Sequence, residues 1–194
     1  MTQKSPGQVV VALDTEVKNS PRQTPVQLFL WLALAALVVG LDQASKWVVV
    51  TNFQYGDERV VWSFFSWVRW HNTGAAFSFL NDAGGWQKWF FVVLASGFSL
   101  YLVWELSRLR VTEKIQALVY ALILGGALGN LADRLQHGYV VDFILLHYHQ
   151  HIFPAFNLAD SAIFLGAVIW LGLLFREYRA EKATAEHGSR EVKK

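Results

Sequence analysis

GNLADRLQHGYVVDFILLHYHQHIFPAFNLADSAI, residues 129–163, begins at the end of one apolar run and finishes inside the next. Three aspartates lie along it, Asp133, Asp142 and Asp160, with Asn130, Arg134 and Asn157 close by. Ionisable groups at the edge of hydrocarbon are costly and usually carry function. Paired carboxylates are also the minimum equipment for acid–base hydrolysis at a carbonyl. The flanking runs therefore read as membrane spans, and the polar residues between them as a candidate site.

The whole chain agrees with that reading. Of 194 residues, 54% are hydrophobic and only 16% charged, and the charges gather between four long apolar runs. That pattern fits a single membrane domain. With no cysteine, a thiol nucleophile and Cys-ligated metal centres are excluded. A net charge of +2 is too small to argue for nucleic acid, and no such partner is expected. A helix of ~20 residues crosses a ~30 Å core, so spans are predicted at about 26–50, 86–106, 115–132 and 158–175. Residues 1–25 hold Pro6, Pro21 and Pro25 and read as a disordered or loosely attached tail. The first apolar run is too long for a signal peptide and reads as an uncleaved helix.

Four spans put both termini on one side. Twelve of the 17 Lys and Arg fall in the N-terminal tail, the 107–114 connection and the C-terminal tail. The positive-inside rule then places both termini in the cytoplasm, and residues 51–85 and 132–157 outside. Asp42, Asn72, Asp133, Asp142, Asn157 and Asp160 all converge on that outer end.

Between the first two spans, Tyr55-Gly56-Asp57-Glu58 is a turn signal, and residues 59–70 are rich in β-branched and aromatic types. The expected fold class is therefore an all-α integral membrane protein. It has four transmembrane helices and a small extracytoplasmic β-strand cradle between helices 1 and 2. Trp62, Trp67 and Trp70 suit a headgroup-zone anchor or a platform for a lipid-bearing ligand. Asp42 and Lys46 read as an i,i+4 ion pair with Lys46 snorkelling outward. Gly125, Gly126 and Gly129 allow close helix packing. Asn157 is a plausible N-cap with Asp160 three residues on, a capping arrangement that competes with a catalytic one. His147, His149 and His151 alternate, so an extended chain puts them on one face; without an HExxH helix they read as loop histidines, and no metal or cofactor is expected.

Three classes stay open on the residues alone: an interfacial aspartyl hydrolase, a small ion- or proton-coupled carrier using the same carboxylates, and a structural membrane subunit. A serine mechanism needs Ser, base and orienter together, and no GxSxG is present. Carboxylates gathered at one face, not at the midplane, favour chemistry at the surface over transport.

Five motifs in order sharpen this: LDQASK (41–46), HNTGAAFSF (71–79), GNLADR (129–134), VVDF (140–143) and FNLADS (156–161). Through them the chain resembles the lipoprotein signal peptidases, the type II signal peptidases of bacterial inner membranes, over residues 26–178. The resemblance implies an aspartyl endopeptidase that cuts diacylglyceryl-modified prolipoproteins just before the lipidated cysteine. It implies a catalytic dyad of Asp142 and Asp160. Asn130, Arg134, Asn157 and Asn72 are similar to residues that support the dyad or hold substrate or the peptide antibiotic globomycin. Asp42, Lys46 and Asp133 match structural positions. The charged tail at 179–194 lies outside the resemblance.

The setting of each aspartate gives a further expectation. Asp142 sits among Val140, Val141, Phe143 and Ile144, where desolvation raises a carboxyl pKa. Asp160, near a helix N-terminus, is set to favour charge. Asp133 sits at a helix C-terminus and is expected to lean on its neighbour Arg134 as a brace.

Overall fold

A computed structural model describes residues 20–74 and 86–191. Residues 1–19 of the N-terminal tail, residues 75–79 of the HNTGAAFSF stretch and residues 192–194 lie outside the described residues.

Four helices carry the fold: α1 (Pro25–Asn52), α2 (Trp86–Arg108), α3 (Lys114–Gln136) and α4 (Leu158–Glu191). Each contains a stretch long and apolar enough to cross a membrane. Thr24 caps α1, and Pro25 supplies the fixed φ of its first turn. The Thr24 hydroxyl accepts from the Gln27 amide at 3.3 Å, and the Gln27 side chain accepts from the Thr24 amide at 2.9 Å. Residues 20–24 are attached, not loose. The Gln23 amide donates to Leu109 O at 3.1 Å, and the Val111 amide donates to Pro21 O at 3.1 Å. These bonds tie the strap to the connection between α2 and α3.

Helix α3 is the hub. Over half of its apolar window is buried, against 11–22% for the other three helices, because it packs on all of them. Small residues make this possible. A Cβ at Gly129 would lie 2.7 Å from Asp42 Oδ2, and one at Gly125 would lie 2.8 Å from Ala35 O. The outer faces of the other helices remain apolar and exposed, as at Val93, Leu100, Phe164 and Leu171. In a bilayer that surface meets lipid tails, so its exposure carries no penalty.

At one end of the bundle stands an antiparallel sheet in the order β1-β2-β3-β4. Its strands are β1 (Glu58–Trp62), β2 (Phe65–Asn72), β3 (Val140–Tyr148) and β4 (His151–Ile152). The cradle expected between the first two helices exists, but it is only half of the sheet. Residues 133–156, a polar and aromatic stretch between the third and fourth apolar runs in which no strand is predicted from sequence, contain the last turn of α3 and both remaining strands. Strand β3 pairs with β2 through Asn72↔Val140, His71↔Val141 and Trp70↔Asp142. Its first four residues are all buried, with Phe143 packed on Val49 and Phe53 of α1 and its C-cap. The β3–β4 turn holds His149 at φ 53°, which breaks the extended chain that would align three histidines. His147 instead meets the buried Ser66 hydroxyl at 3.1 Å.

Candidate active site

The segment entering α4 is stitched to β3. The Ile144 amide donates to Phe156 O at 2.8 Å, and the Phe156 amide donates back to Ile144 O at 3.0 Å. This brings Asn157 and the first turn of α4 against Asp142. Asn157 then makes the central contact. Its Nδ2 donates to Asp142 Oδ1 at 2.8 Å, and its Oδ1 accepts from the Asp160 amide at 2.9 Å. Asp160 Oδ2 accepts in return from the Asn157 amide at 3.2 Å. The N-cap reading of Asn157 and Asp160 is thus correct, and it coexists with a site. The cap is what aims Asp160 toward Asp142.

The remaining carboxylate oxygens are held by neutral amides. Asn72 Nδ2 donates to Asp142 Oδ2 at 3.1 Å, and Asn130 Nδ2 donates to Asp160 Oδ1 at 2.8 Å. Burial and the neighbouring Asp160 carboxylate raise Asp142 from an ordinary 3.8 to about 7; the bonds from Asn72 and Asn157 and the charge of Lys46 pull the other way and lose. Asp142 therefore keeps its proton to far higher pH than an ordinary aspartate does.

Behind this pair lies a second acidic cluster. Lys46 Nζ sits 2.8 Å from Asp42 and 3.0 Å from Asp133. The expected Asp42–Lys46 pair forms, but Lys46 points inward and is 3% exposed; two carboxylates outbid the membrane surface for its ammonium. Asp133 takes Lys46, not Arg134, as its cation. Each of these aspartates also grips backbone. The Ala159 amide donates to Asp42 Oδ1 at 2.9 Å, and the Val141 amide donates to Asp133 Oδ2 at 3.0 Å. Those amides immediately precede Asp160 and Asp142. Lys46 also donates to Asn130 Oδ1 at 3.0 Å, which turns that asparagine's Nδ2 toward Asp160.

Arg134 is buried beneath the site. Its Nη2 donates to Gly74 O at 2.8 Å, and its guanidinium lies 5.0 Å over the Phe91 ring. Among the described residues it makes no ion pair, and its Nε has no partner.

Two contributors escaped the sequence reading. Gln43 Nε2 is shared among Asp133 Oδ1 at 2.8 Å, Gly129 O at 3.1 Å and Asp42 Oδ2 at 3.2 Å. His71 stacks on Tyr139 at 3.8 Å and lies tilted against Tyr55 at 4.4 Å, which steadies the strand that presents Asn72. Burial, helped by Arg69 and His137, lowers its pKa below the usual imidazole range. Gln43 stands inside the LDQASK run beside the Asp42 already singled out, and His71 stands directly before Asn72.

A bundle of membrane helices with two buried carboxylates bridged by one asparagine at one end fits a membrane-embedded aspartic hydrolase as a class. Comparison with known proteins narrows it. The family described as Signal peptidase (SPase) II matches residues 34–176. The lipoprotein signal peptidase of Xanthomonas campestris pv. campestris is 51% identical over 166 residues, covering 84% of this chain and 99% of that protein. That of Acinetobacter baumannii is 51% identical over 142 residues, covering 73% of this chain and 81% of that protein. A solved bacterial membrane enzyme superposes with a TM-score of 0.68 at 28% identity, covering 82% of this chain and 93% of that one. The chain belongs to the signal peptidase II family, a family of aspartic peptidases that remove signal peptides from prolipoproteins. Membership decides among the three open classes in favour of the hydrolase.

Proposed function

We propose that Asp142 and Asp160 are the catalytic pair, cutting diacylglyceryl-modified prolipoproteins on the N-terminal side of the lipidated cysteine. The observation that carries this reading is the Asn157 bridge: one side chain holds Asp142 and caps the turn that carries Asp160. In the reaction, ionised Asp160 takes a proton from water as its oxygen bonds to the scissile carbonyl carbon. Protonated Asp142 gives its proton to the leaving nitrogen as the C–N bond breaks. One water is consumed, and the proton left on Asp160 passes back to Asp142. Asn72 and Arg134 flank the pair and are suited to hold the substrate backbone and developing oxyanion charge. Asn130 fixes Asp160.

The lipid on the substrate is part of the recognition. Exposed Trp62, with Phe64 stacked on it at 5.8 Å, extends the sheet as an aromatic apron beside the bundle. Burying acyl chain is worth ~0.8 kcal/mol per CH₂, so a diacylglyceryl group both recruits the precursor and orients its bond. Globomycin is expected to compete for the same surface. The Lys and Arg distribution supports cytoplasmic termini and a pair near the outer face of a bacterial inner membrane.

The test uses purified full-length protein with a lipidated precursor and its unlipidated twin, in EDTA and with no ion gradient. Cleavage of the lipidated form alone, yielding a product that begins at the modified cysteine, is expected. Equal rates on both precursors overturn the substrate assignment. A reporter active only outside the cytoplasm should work when fused after residue 145 and stay silent after 110. The reverse result overturns the topology.

A further inference from the structure

A furrow of about 340 Å³ opens between α1 and the start of α3, at the end of the bundle away from the carboxylate pair. That volume lies within the ~300–1,000 Å³ of typical ligand sites. Along the spans it is lined by Leu30, Trp31, Leu34 and Ala117. Leu30 is 59% exposed, so the lining faces the hydrocarbon that surrounds α1. Toward the helix ends the lining turns cationic, with Arg110 and Lys114.

Among the described residues neither cation has a carboxylate within ion-pair distance; both ion pairs belong to Lys46. Arg110 Nη1 donates to the Ser20 carbonyl, and Lys114 is exposed. Glu113 is the adjacent acid, but its Oε2 already accepts from the Arg110 amide at 2.6 Å. Glu113 is also the N-cap of α3 and makes no side-chain cap bond, so the positive end of that helix dipole adds to the field. An apolar trough in the bilayer with positive charge at its headgroup end has one natural occupant. Basic pockets between spans on the cytoplasmic side take anionic lipid headgroups.

We infer that this furrow binds one anionic phospholipid, its phosphate between Arg110 and Lys114 and an acyl chain along Leu30, Trp31 and Leu34. The site is separate from the substrate site and stands whether or not the catalytic assignment does. A bound lipid would pin the strap at residues 20–24 and the α2–α3 connection, both of which meet at the furrow.

Native mass spectrometry of the full-length protein tests it, with phosphatidylglycerol and phosphatidylcholine of identical chains as probes. The parent should retain one phosphatidylglycerol in preference to phosphatidylcholine. Losing one basic residue should weaken retention about five-fold, and losing two about thirty-fold. Lys114→Gln is the one-charge variant and Arg110→Gln/Lys114→Gln the two-charge variant. Phosphatidylcholine should not respond to either. Leu34→Trp, which fills the trough, should expel both lipids. Lys114→Gln removes no hydrogen bond of the fold, so its result stands even where the double variant unfolds early in lipid-free detergent. Equal retention of the two lipids by the parent, or parent-like phosphatidylglycerol binding by Lys114→Gln, overturns the proposal.

Discussion

Two acidic clusters lie side by side at the C-terminal end of α3, and the same residue type has opposite surroundings in them. In the first, Asp42 and Asp133 share Lys46 and each also accepts a backbone amide, Asp42 with its other oxygen and Asp133 with the oxygen that meets Lys46. In the second, Asp142 and Asp160 have only neutral amide donors: Asn72, Asn130, Asn157 and one backbone N–H. A buried charge needs cancelling. Where a lysine supplies the cancellation, the aspartates are fixed ions and act as clamps. Where none is supplied, a bound proton serves instead, which is the setting the proposed acid–base roles need. The clamps also act on the pair, because the amides they hold precede Asp160 and Asp142 in the chain.

The largest effect should come from the proposed catalytic pair. Asp142→Asn and Asp160→Asn should each lower cleavage by at least ~10³-fold while leaving the protein folded, and the double variant should be little worse, since the two act as one unit. Rates normalised to folded protein decide this. Substantial turnover in Asp142→Asn, with none in a well-folded Asp133→Asn, would show that the clamps and the pair have been assigned the wrong way round.

Removing the lysine should turn the clamp cluster into a strained copy of the pair. Lys46→Met strands two buried carboxylates, and breaking a buried ion pair typically costs ~3–5 kcal/mol. The expected result is a large fall in thermal midpoint, with one of the two carboxyls now protonated. Turnover per folded molecule should fall as well, because Asn130 loses the bond that turns it toward Asp160. An unchanged midpoint would dissolve the distinction between the clusters.

Acidity separates them next. Asp142 is raised from 3.8 to about 7, so the folded protein binds its proton more tightly than the unfolded chain does. Stability from this group is full below about 3.8 and is lost as pH rises through about 7. The rate should also fall on the basic side of about 7, as the general acid loses its proton. Asp142→Asn should lose the alkaline decline in stability, which thermal melts from pH 4 to 8 would read. A decline that persists in this variant would assign the titration to another group.

The two clusters were unequally legible in the sequence. Asp142, Asp160 and Asn157 stand in short runs whose chemistry shows locally, an aspartate among β-branched residues and an N-cap three before an acid. The clamp cluster is made of long-range contacts. Asp42 and Lys46 come from a helix apolar all round, with no amphipathic stripe to say which face turns inward. Lys46 therefore read as snorkelling outward, and Asp133 was matched to the nearest cation in sequence, Arg134. Strand β3 was missed for a related reason. Its partner β2 lies about seventy residues away, and a fully buried strand shows no alternation. The β-branched run at Val140, Val141 and Ile144 was the available sign.

Gln43 offers the smallest and cleanest effect. Unlike Lys46, it belongs to the clamp cluster alone. Its Nε2 reaches Asp42, Asp133 and Gly129, and it makes no described bond to Asn130, Asn157 or either member of the pair. Gln43→Leu keeps the approximate volume and removes the shared donor. Both carboxylates keep Lys46 and their backbone amides, so neither is left bare. The loss should be near that of a hydrogen bond to charged groups, ~1.5–3 kcal/mol, and less to the extent that the half-buried site admits water. Cleavage per folded molecule should stay within about two-fold of the parent, because a loss confined to the clamp leaves transition-state contacts intact. The pH profile of the rate should not move. If Gln43→Leu instead shifts the basic limb of that profile, the clamp is setting the acidity of Asp142, and the two clusters are a single electrostatic unit.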